Sequence, residues 1–351
     1  MDIEKTISYI ENSFLKDLLL KENVTDITYN GKESYYVDND LGRLKSDITI
    51  SQQEARDFVR QIANLSEKQF SFQNPNLDVS FGKYRFDAVH HSIARKERDE
   101  CVAFSIRIAS SSLRFAEPNS LNDDVKDLLD VLIVSNVSIV IGGITGSGKT
   151  ELQKYLISRM KEYTRAIVID NILELDQFVP DKDLDLNVWQ VDERREGASI
   201  QNLVRTALRS NPDWLIVAES RGKEMLEVLN SSLTGHPIIT TIHAFDINSM
   251  PHRMTRMVMM NNKNDVFEDV YNDISYHLRF YIYLKKKYLD NGNVLRYISS
   301  IGYLNGRTME EIYGSDGKSS STKLLSEEAI KMLDLSHASN RFIATFKGGL
   351  R

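Results

Sequence analysis

Four short apolar runs recur along this chain: VSIVI (137–141), AIVID (166–170), WLIVA (214–218) and PIITTIH (237–243), with amphipathic stretches between them. A strand covered on both faces has no polar side, so it reads as an unbroken apolar run rather than an alternating one. In the intervening stretches, Leu152, Leu156 and Met160 fall on one helical face, as do Leu203, Ala207 and Leu208. Strands of this kind alternating with helices predict a parallel sheet with helices on both faces, an α/β domain over residues 125–313.

The residues before this domain have a different texture. VTDITYNGKESYYVDND alternates apolar and polar positions across Asn30-Gly31, which predicts a hairpin. SQQEARDFVRQIANL opens with Ser51 and Glu54 at capping-box spacing and places Ala55, Phe58, Val59 and Ile62 on one helical face. Further alternating runs, LDVSFGKYRFDAV and CVAFSIRIA, complete an α+β domain over residues 1–112, joined by a polar linker at 113–124. Beyond the α/β domain, YHLRFYIYLKKKYLDNGNVLRYISSIGYL reads as a hairpin turning at Asp290-Asn291-Gly292, and GSDGKSSS as a flexible joint. Residues 314–351 form an extension without a role legible in the sequence, and its last thirty residues are expected to be a small helix and a frayed tail.

Composition narrows the class. The 351 residues carry 44 basic and 50 acidic side chains, a net charge of -6, where a bulk nucleic-acid binder is normally basic. The single cysteine, Cys101, forms no internal disulfide and no cysteine-cluster zinc site, which suits a reducing, cytoplasmic compartment. The start, MDIEKTISYIENSFL, lacks the basic end and apolar centre of a signal peptide, and the most apolar window is interrupted by Asp130 and Asn136. Membrane association is therefore expected to be peripheral.

The first apolar run leads into GGITGSGKT (142–150), and a helical stretch follows. Gly143, Gly148, Lys149 and Thr150 satisfy the G-x-x-x-x-G-K-[ST] pattern of a phosphate-binding loop. Such a loop needs backbone N–H groups converging on phosphate oxygens, which bulky residues obstruct, and the helix N-terminus adds partial positive charge. Gly143, Thr145, Gly146, Ser147, Gly148, Lys149, Thr150 and Glu151 are thus the candidate nucleotide-binding residues. Lys149 would reach the β and γ phosphates of ATP, and the Thr150 hydroxyl would ligate Mg²⁺.

Other candidates stand where the remaining apolar runs end. NPDWLIVAES ends in Glu219, on a strand expected beside the loop's strand, a carboxylate that would sit near Thr150 and organise Mg²⁺ and its water. VIDNILEL offers Asp170, Asn171 and Glu174 to orient or deprotonate a water, and His243 ends TTIHA, with His236 seven residues earlier. Arg194, Arg195, Arg209 and Arg221 are candidate charge-neutralising groups, a role worth about 10³–10⁵ in rate where it operates.

Together, GGITGSGKT, VIDNILEL, LVRTALRSNPDWLIVAESRGKEMLEVLNSSLTGHP and ITTIHA resemble the type II/type IV secretion ATPase superfamily, in particular its conjugation and tight-adherence-pilus branches. The resemblance spans residues 20–303 and presents the family's four motifs in order: Walker A loop, Asp box, Walker B strand followed by Arg-Gly, and His box. It implies a RecA-like P-loop fold for the second domain. Glu219 would be the Walker B carboxylate, Glu174 the catalytic glutamate and His243 the His-box residue. It also implies that Arg107, in FSIRI, approaches the phosphates, that Arg114 is a weaker candidate of the same type, and that Arg209 and Arg221 belong to the site or a subunit interface.

The chain departs from the family's pattern at the Asp box, where Asp170-Asn171 stands for Glu-Asp, and at Ser220, where an apolar residue is usual. The zinc-binding cysteine quartet of the type II branch is missing. The resemblance implies a cytoplasmic, homohexameric, Mg²⁺-dependent ATPase that powers a type IV secretion, conjugation or pilus machine through an inner-membrane platform protein; the acidic balance adds the expectation of no stable nucleic-acid binding. Two alternatives remain: a RecA-like nucleic-acid motor, for which Lys285, Lys286 and Lys287 supply a local basic cluster, and a nucleotide-gated assembly scaffold with little turnover.

Overall fold

The computed structural model describes residues 2–110, 113, 121–171, 173–193, 195–262 and 264–348. The chain divides into two compact units. The first is Met1–Ser111 with two later segments, Ile172–Gln177 and Tyr288–Val294; the second is Ser112–Asn171, Phe178–Lys287 and Leu295–Arg351.

The first unit opens with helices α1 (Ile3–Glu11) and α2 (Lys16–Leu19), then strands β1 (Val24–Tyr29), β2 (Ser34–Asp38) and β3 (Gly42–Lys45). Helix α3 (Gln52–Leu65) follows, then β4 (Asn76–Phe81), β5 (Tyr84–Val89), the two-residue strands β6 (Arg95–Lys96) and β7 (Asp99–Glu100), and β8 (Ala103–Ile108). Six of these strands form an antiparallel sheet in the order β3-β2-β1-β8-β5-β4. Ser51 and Glu54 close the capping box of α3. Its apolar face, Ala55, Phe58, Val59 and Ile62, is buried in the unit's core, where the Phe58 ring meets Phe86 and Phe104.

The second unit runs α4 (Asp123–Val134), β9 (Ile139–Gly143), α5 (Lys149–Ser158), β10 (Arg165–Asp170), β11 (Asp185–Gln190), α6 (Ile200–Leu208) and β12 (Trp214–Val217). It continues with α7 (Met225–Leu233), β13 (Ile238–Ile242), α8 (Ser249–Val258), α9 (Phe267–His277), β14 (Phe280–Tyr288), β15 (Val294–Asn305), β16 (Thr308–Ser315), β17 (Ser320–Thr322), α10 (Glu327–Lys331) and α11 (Asn340–Phe342). Nine strands form one sheet in the order β11-β10-β12-β13-β9-β14-β15-β16-β17. The neighbours from β11 through β14 are parallel, and β15, β16 and β17 pair antiparallel. All residues of β9, β12 and β13 are buried, as their unbroken apolar runs require.

Four expectations change. The Glu219 strand, β12, does not lie beside β9; β13 intervenes. The chain leaves β9, crosses to β10, builds outward to β11, and then returns β12 and β13 into the gap between β10 and β9. Strand β11, half-exposed at the sheet edge, is an addition to the four apolar strands, because DLNVWQ carries no apolar run. GSDGKSSS is a hairpin turn between β16 and β17, with Gly317 at φ +87°, rather than a joint. The tail is packed through residue 348: Ser339 caps α11, a π-helical turn spans Ile343–Lys347, and Phe342 and Phe346 are fully buried.

Candidate nucleotide-binding site

Strands β9, β12 and β13 run parallel, so their carboxyl ends share one edge, where ligands of open α/β sheets bind. The loop after β9 occupies that edge. Gly143 has no room for a side chain, because a Cβ there would lie 2.8 Å from the Leu284 carbonyl oxygen of β14. Gly148, at φ +98°, turns the chain into α5, and no side chain caps that helix. Uncapped first-turn amides at the end of a glycine-rich loop fit a phosphate ligand. The Lys149 ammonium donates to the Gly143 and Ile144 carbonyls, both at 3.1 Å, so it is held over the loop. Ser147 is wholly buried. The Glu151 carboxylate pairs at 2.9 Å with the buried Lys154 one turn along α5.

Glu219, Arg221 and His243 meet at the same edge. Arg221 donates to Glu219 Oε2 at 2.7 Å, and His243 Nε2 lies 2.9 Å from Oε1. Burial pushes the Glu219 carboxyl up, but the Arg221 hydrogen bond and the charges of Arg221, His243 and Lys149 outweigh it and hold it below the usual range. Burial pushes His243 below its ordinary value, with Lys149 and Arg221 acting in the same direction and Glu219 against them. A neutral imidazole and an ionised carboxylate therefore stand together at neutral pH. The Thr150 hydroxyl and the Glu219 carboxylate are hard oxygen donors, the type that holds Mg²⁺ together with phosphate oxygens and water.

Ser220 is 1% exposed, and its hydroxyl pairs at 2.9 Å with Thr240 on β13, which satisfies a polar group where an apolar one is usual. Sequence reasoning missed Tyr283 on β14. Its hydroxyl donates to the carbonyls of Ala244 and Phe245, fixing the segment that carries His243. A tyrosine in an apolar strand gives no signal of that contact in sequence.

A second cluster lies in the first unit. On β8, Arg107 is opposite Asp26 of β1, and its guanidinium reaches Asp26 at 3.1 Å and Glu174 at 3.5 Å. Burial works against the Arg107 cation, but Asp26 and Glu174 more than offset it and raise its pKa. Asp170 ends β10 and is buried, and Asn171 follows in a bend.

The other candidates are placed as follows. Arg209 terminates α6, exposed, and its side chain makes no hydrogen bond or ion pair among the described residues. His236 precedes β13, at the opposite end from His243, and contacts Thr234 at 3.1 Å. Arg195 is exposed in a turn. Arg114 and Arg194 lie outside the described residues.

Residues 83–277 match the family described as "Type II/IV secretion system protein", which takes in more than half of the chain. The chain belongs to this family. Among proteins similar to this chain, an uncharacterized Bacillus anthracis protein is 28% identical over 374 residues, covering 99% of this chain and 82% of the relative. A Mycobacterium tuberculosis protein named for conjugal transfer is 24% identical over 255 residues, covering 68% of this chain and 71% of its own length. The structure of the Legionella pneumophila ATPase DotB superposes with a TM-score of 0.61 at 20% identity, over 87% of this chain and 82% of that one. The secretion-family fold, an α+β domain followed by a RecA-like P-loop domain, is thereby established for this chain.

No helix among the described residues is long and apolar enough to cross a membrane. Nor do they contain a cluster of three or more histidine, cysteine or acidic side chains arranged to hold a metal ion. A Mg²⁺ held by two protein oxygens and a nucleotide does not require one.

Proposed function

We propose that this secretion-family chain is a Mg²⁺-dependent ATPase that works as a homohexameric ring and powers a type IV secretion, conjugation or pilus machine. The observation that carries the reading is the grouping of Lys149, Glu219, Arg221 and His243 at one sheet edge beside an uncapped phosphate-type loop. The conjugal-transfer relative supports a conjugation-type machine.

In this reading the loop amides and Lys149 bind the phosphates, and Thr150 and Glu219 hold Mg²⁺. The ion, when bound, would neutralise charge on the β and γ phosphates. Glu174 positions and deprotonates the attacking water, and Arg107, Arg209 and Arg221 stabilise negative charge on the phosphoryl group or complete the site from a neighbouring copy. His243 registers the γ-phosphate. Residues 1–112 and 125–313 are the two domains, 113–124 the linker, and 314–351 an extension. The partners are further copies of the chain and an inner-membrane platform protein, with the ring on the cytoplasmic face.

The experiment is Mg²⁺-ATP turnover per subunit across protein concentrations, with Lys149→Ala as blank. Specific activity climbing with concentration is expected, because a ring completes its own sites. Normal hydrolysis by Lys149→Ala would sink the reading. A second reading, a nucleotide-gated scaffold with little turnover, is favoured by one observation: Glu174 is engaged by Arg107. Tight ATP binding with Glu174→Gln making no difference would select it.

A further inference from the structure

We infer that Arg296, on β15, is a positioning residue that presets the tip of the phosphate loop for nucleotide capture, with Lys286 of β14 supporting it by charge. The inference rests on the ATP-binding reading above. Arg296 Nε donates to the carbonyl oxygen of Gly146 at 2.8 Å, across 150 positions of sequence. Gly146 is the exposed tip of the loop, at φ +72°. A Cβ built there would meet only the Lys286 ammonium, at 3.7 Å. The two strands of one hairpin therefore each bring a cation to the same glycine.

The consequence follows from peptide geometry. A trans peptide is planar, so the carbonyl of Gly146 and the N–H of Ser147 point in opposite directions. With the carbonyl anchored on Arg296, the Ser147 N–H points the opposite way and donates to the Ile144 carbonyl at 3.3 Å, which closes the turn at the loop's tip. Phosphate recognition by such a loop depends on the directions of successive N–H groups. An unanchored glycine tip would sample other orientations and pay the ordering cost when nucleotide arrives. Arg296 removes that cost before binding. Lys286 and Arg296 also join Lys149 around one short loop of a chain whose net charge is -6, concentrating positive charge where an anionic ligand docks.

A preset loop affects capture and leaves the chemical step alone. The test uses the full chain, a fluorescent ADP analogue for binding and steady-state ATP turnover for KM and kcat. Arg296→Ala should weaken ADP binding and raise KM for ATP about tenfold, the loss of one charge-assisted hydrogen bond, with kcat within about twofold. Arg296→Lys should recover part of the binding, because it keeps the charge without the planar fork. Lys286→Ala should cost about twofold and flatten the salt dependence.

ADP affinity in Arg296→Ala equal to wild type, with Lys149→Ala abolishing binding, would overturn the inference and leave the ATPase reading standing. A fall in kcat matching the fall in affinity would also overturn it. Absence of nucleotide binding in the wild type would instead remove the ATPase reading, and this inference with it. If Arg296→Ala does not fold, Arg296→Lys and Lys286→Ala still decide: wild-type KM in both counts against the inference, and a KM increase at constant kcat supports it.

Discussion

His243 Nε2 lies 2.9 Å from Glu219 Oε1, across the neighbouring parallel strands β12 and β13. Both groups titrate below their ordinary values, His243 chiefly through burial and Glu219 through Arg221 and the adjacent cations against the effect of burial. The consequences for stability have the same sign. An unfolded histidine takes up its proton near pH 6.5, whereas folded His243 resists until lower pH, so acidification through that window favours the unfolded chain. Glu219 contributes stability above the ordinary glutamate value of 4.5 and loses it as pH falls through its own lower one. Denaturation midpoints at neutral pH and near pH 5.5 should fall further for wild type than for His243→Gln. Equal losses would remove His243 as a source of acid sensitivity.

The two glutamates should separate in their effects. Glu174→Gln is expected to lower turnover by about 10²–10⁴ with nucleotide affinity retained, the signature of a lost proton acceptor. Glu219→Gln removes one metal-holding oxygen and the negative charge that faces Mg²⁺ and Arg221, so it should also make nucleotide affinity less dependent on Mg²⁺. Titrating Mg²⁺ against ADP binding in both variants distinguishes them. The same Mg²⁺ dependence in the two would undo the assignment of roles.

What the sequence shows of this molecule follows from what is local. The Ser51–Glu54 capping box, the apolar runs of β9, β12 and β13, and the loop through Lys149 are set by near neighbours and could be read directly. Strand order could not, because the insertion of β13 between β9 and β12 depends on how crossovers pack. Arg107 and Glu174 each stand in a recognisable motif, but their 3.5 Å contact joins positions 67 residues apart, which no local pattern shows. Tyr283 and Arg296 act through backbone carbonyls, for which no residue type in the partner gives a signal.

Ser220 supplies a prediction that separates packing from hydrogen bonding. Its hydroxyl and that of Thr240 satisfy each other in a buried setting, 1% and 0% exposed. Ser220→Ala strands the Thr240 hydroxyl and should cost about 1–3 kcal/mol. Adding Thr240→Val removes the stranded group, so the double variant should be more stable than the single one. Urea midpoints for wild type, both singles and the double give the coupling directly. Strictly additive losses would mean that the hydroxyl pair contributes nothing.

The final segment of the chain should be a structural part of the second unit. Arg341 grips Asp127 of α4 through two 2.8 Å hydrogen bonds, and Ser339 reaches the same carboxylate at 2.6 Å. Phe342 and Phe346 are fully buried behind that contact. Phe346→Ala is therefore expected to cost about 3–5 kcal/mol, the range for emptying a buried aromatic site. Arg341 is about half exposed and its ion pair is screened by water, so Arg341→Ala should cost far less than Phe346→Ala. The Arg341 hydrogen bond holds the Asp127 carboxyl below its usual range, so this contribution persists above pH 3.8 and is lost as pH falls further. Chemical denaturation of the two variants at neutral pH orders them. A Phe346→Ala chain as stable as wild type would show that the tail rests on α4 without supporting it. A large loss would make the last turn a requirement for the stability of the unit that carries the phosphate loop.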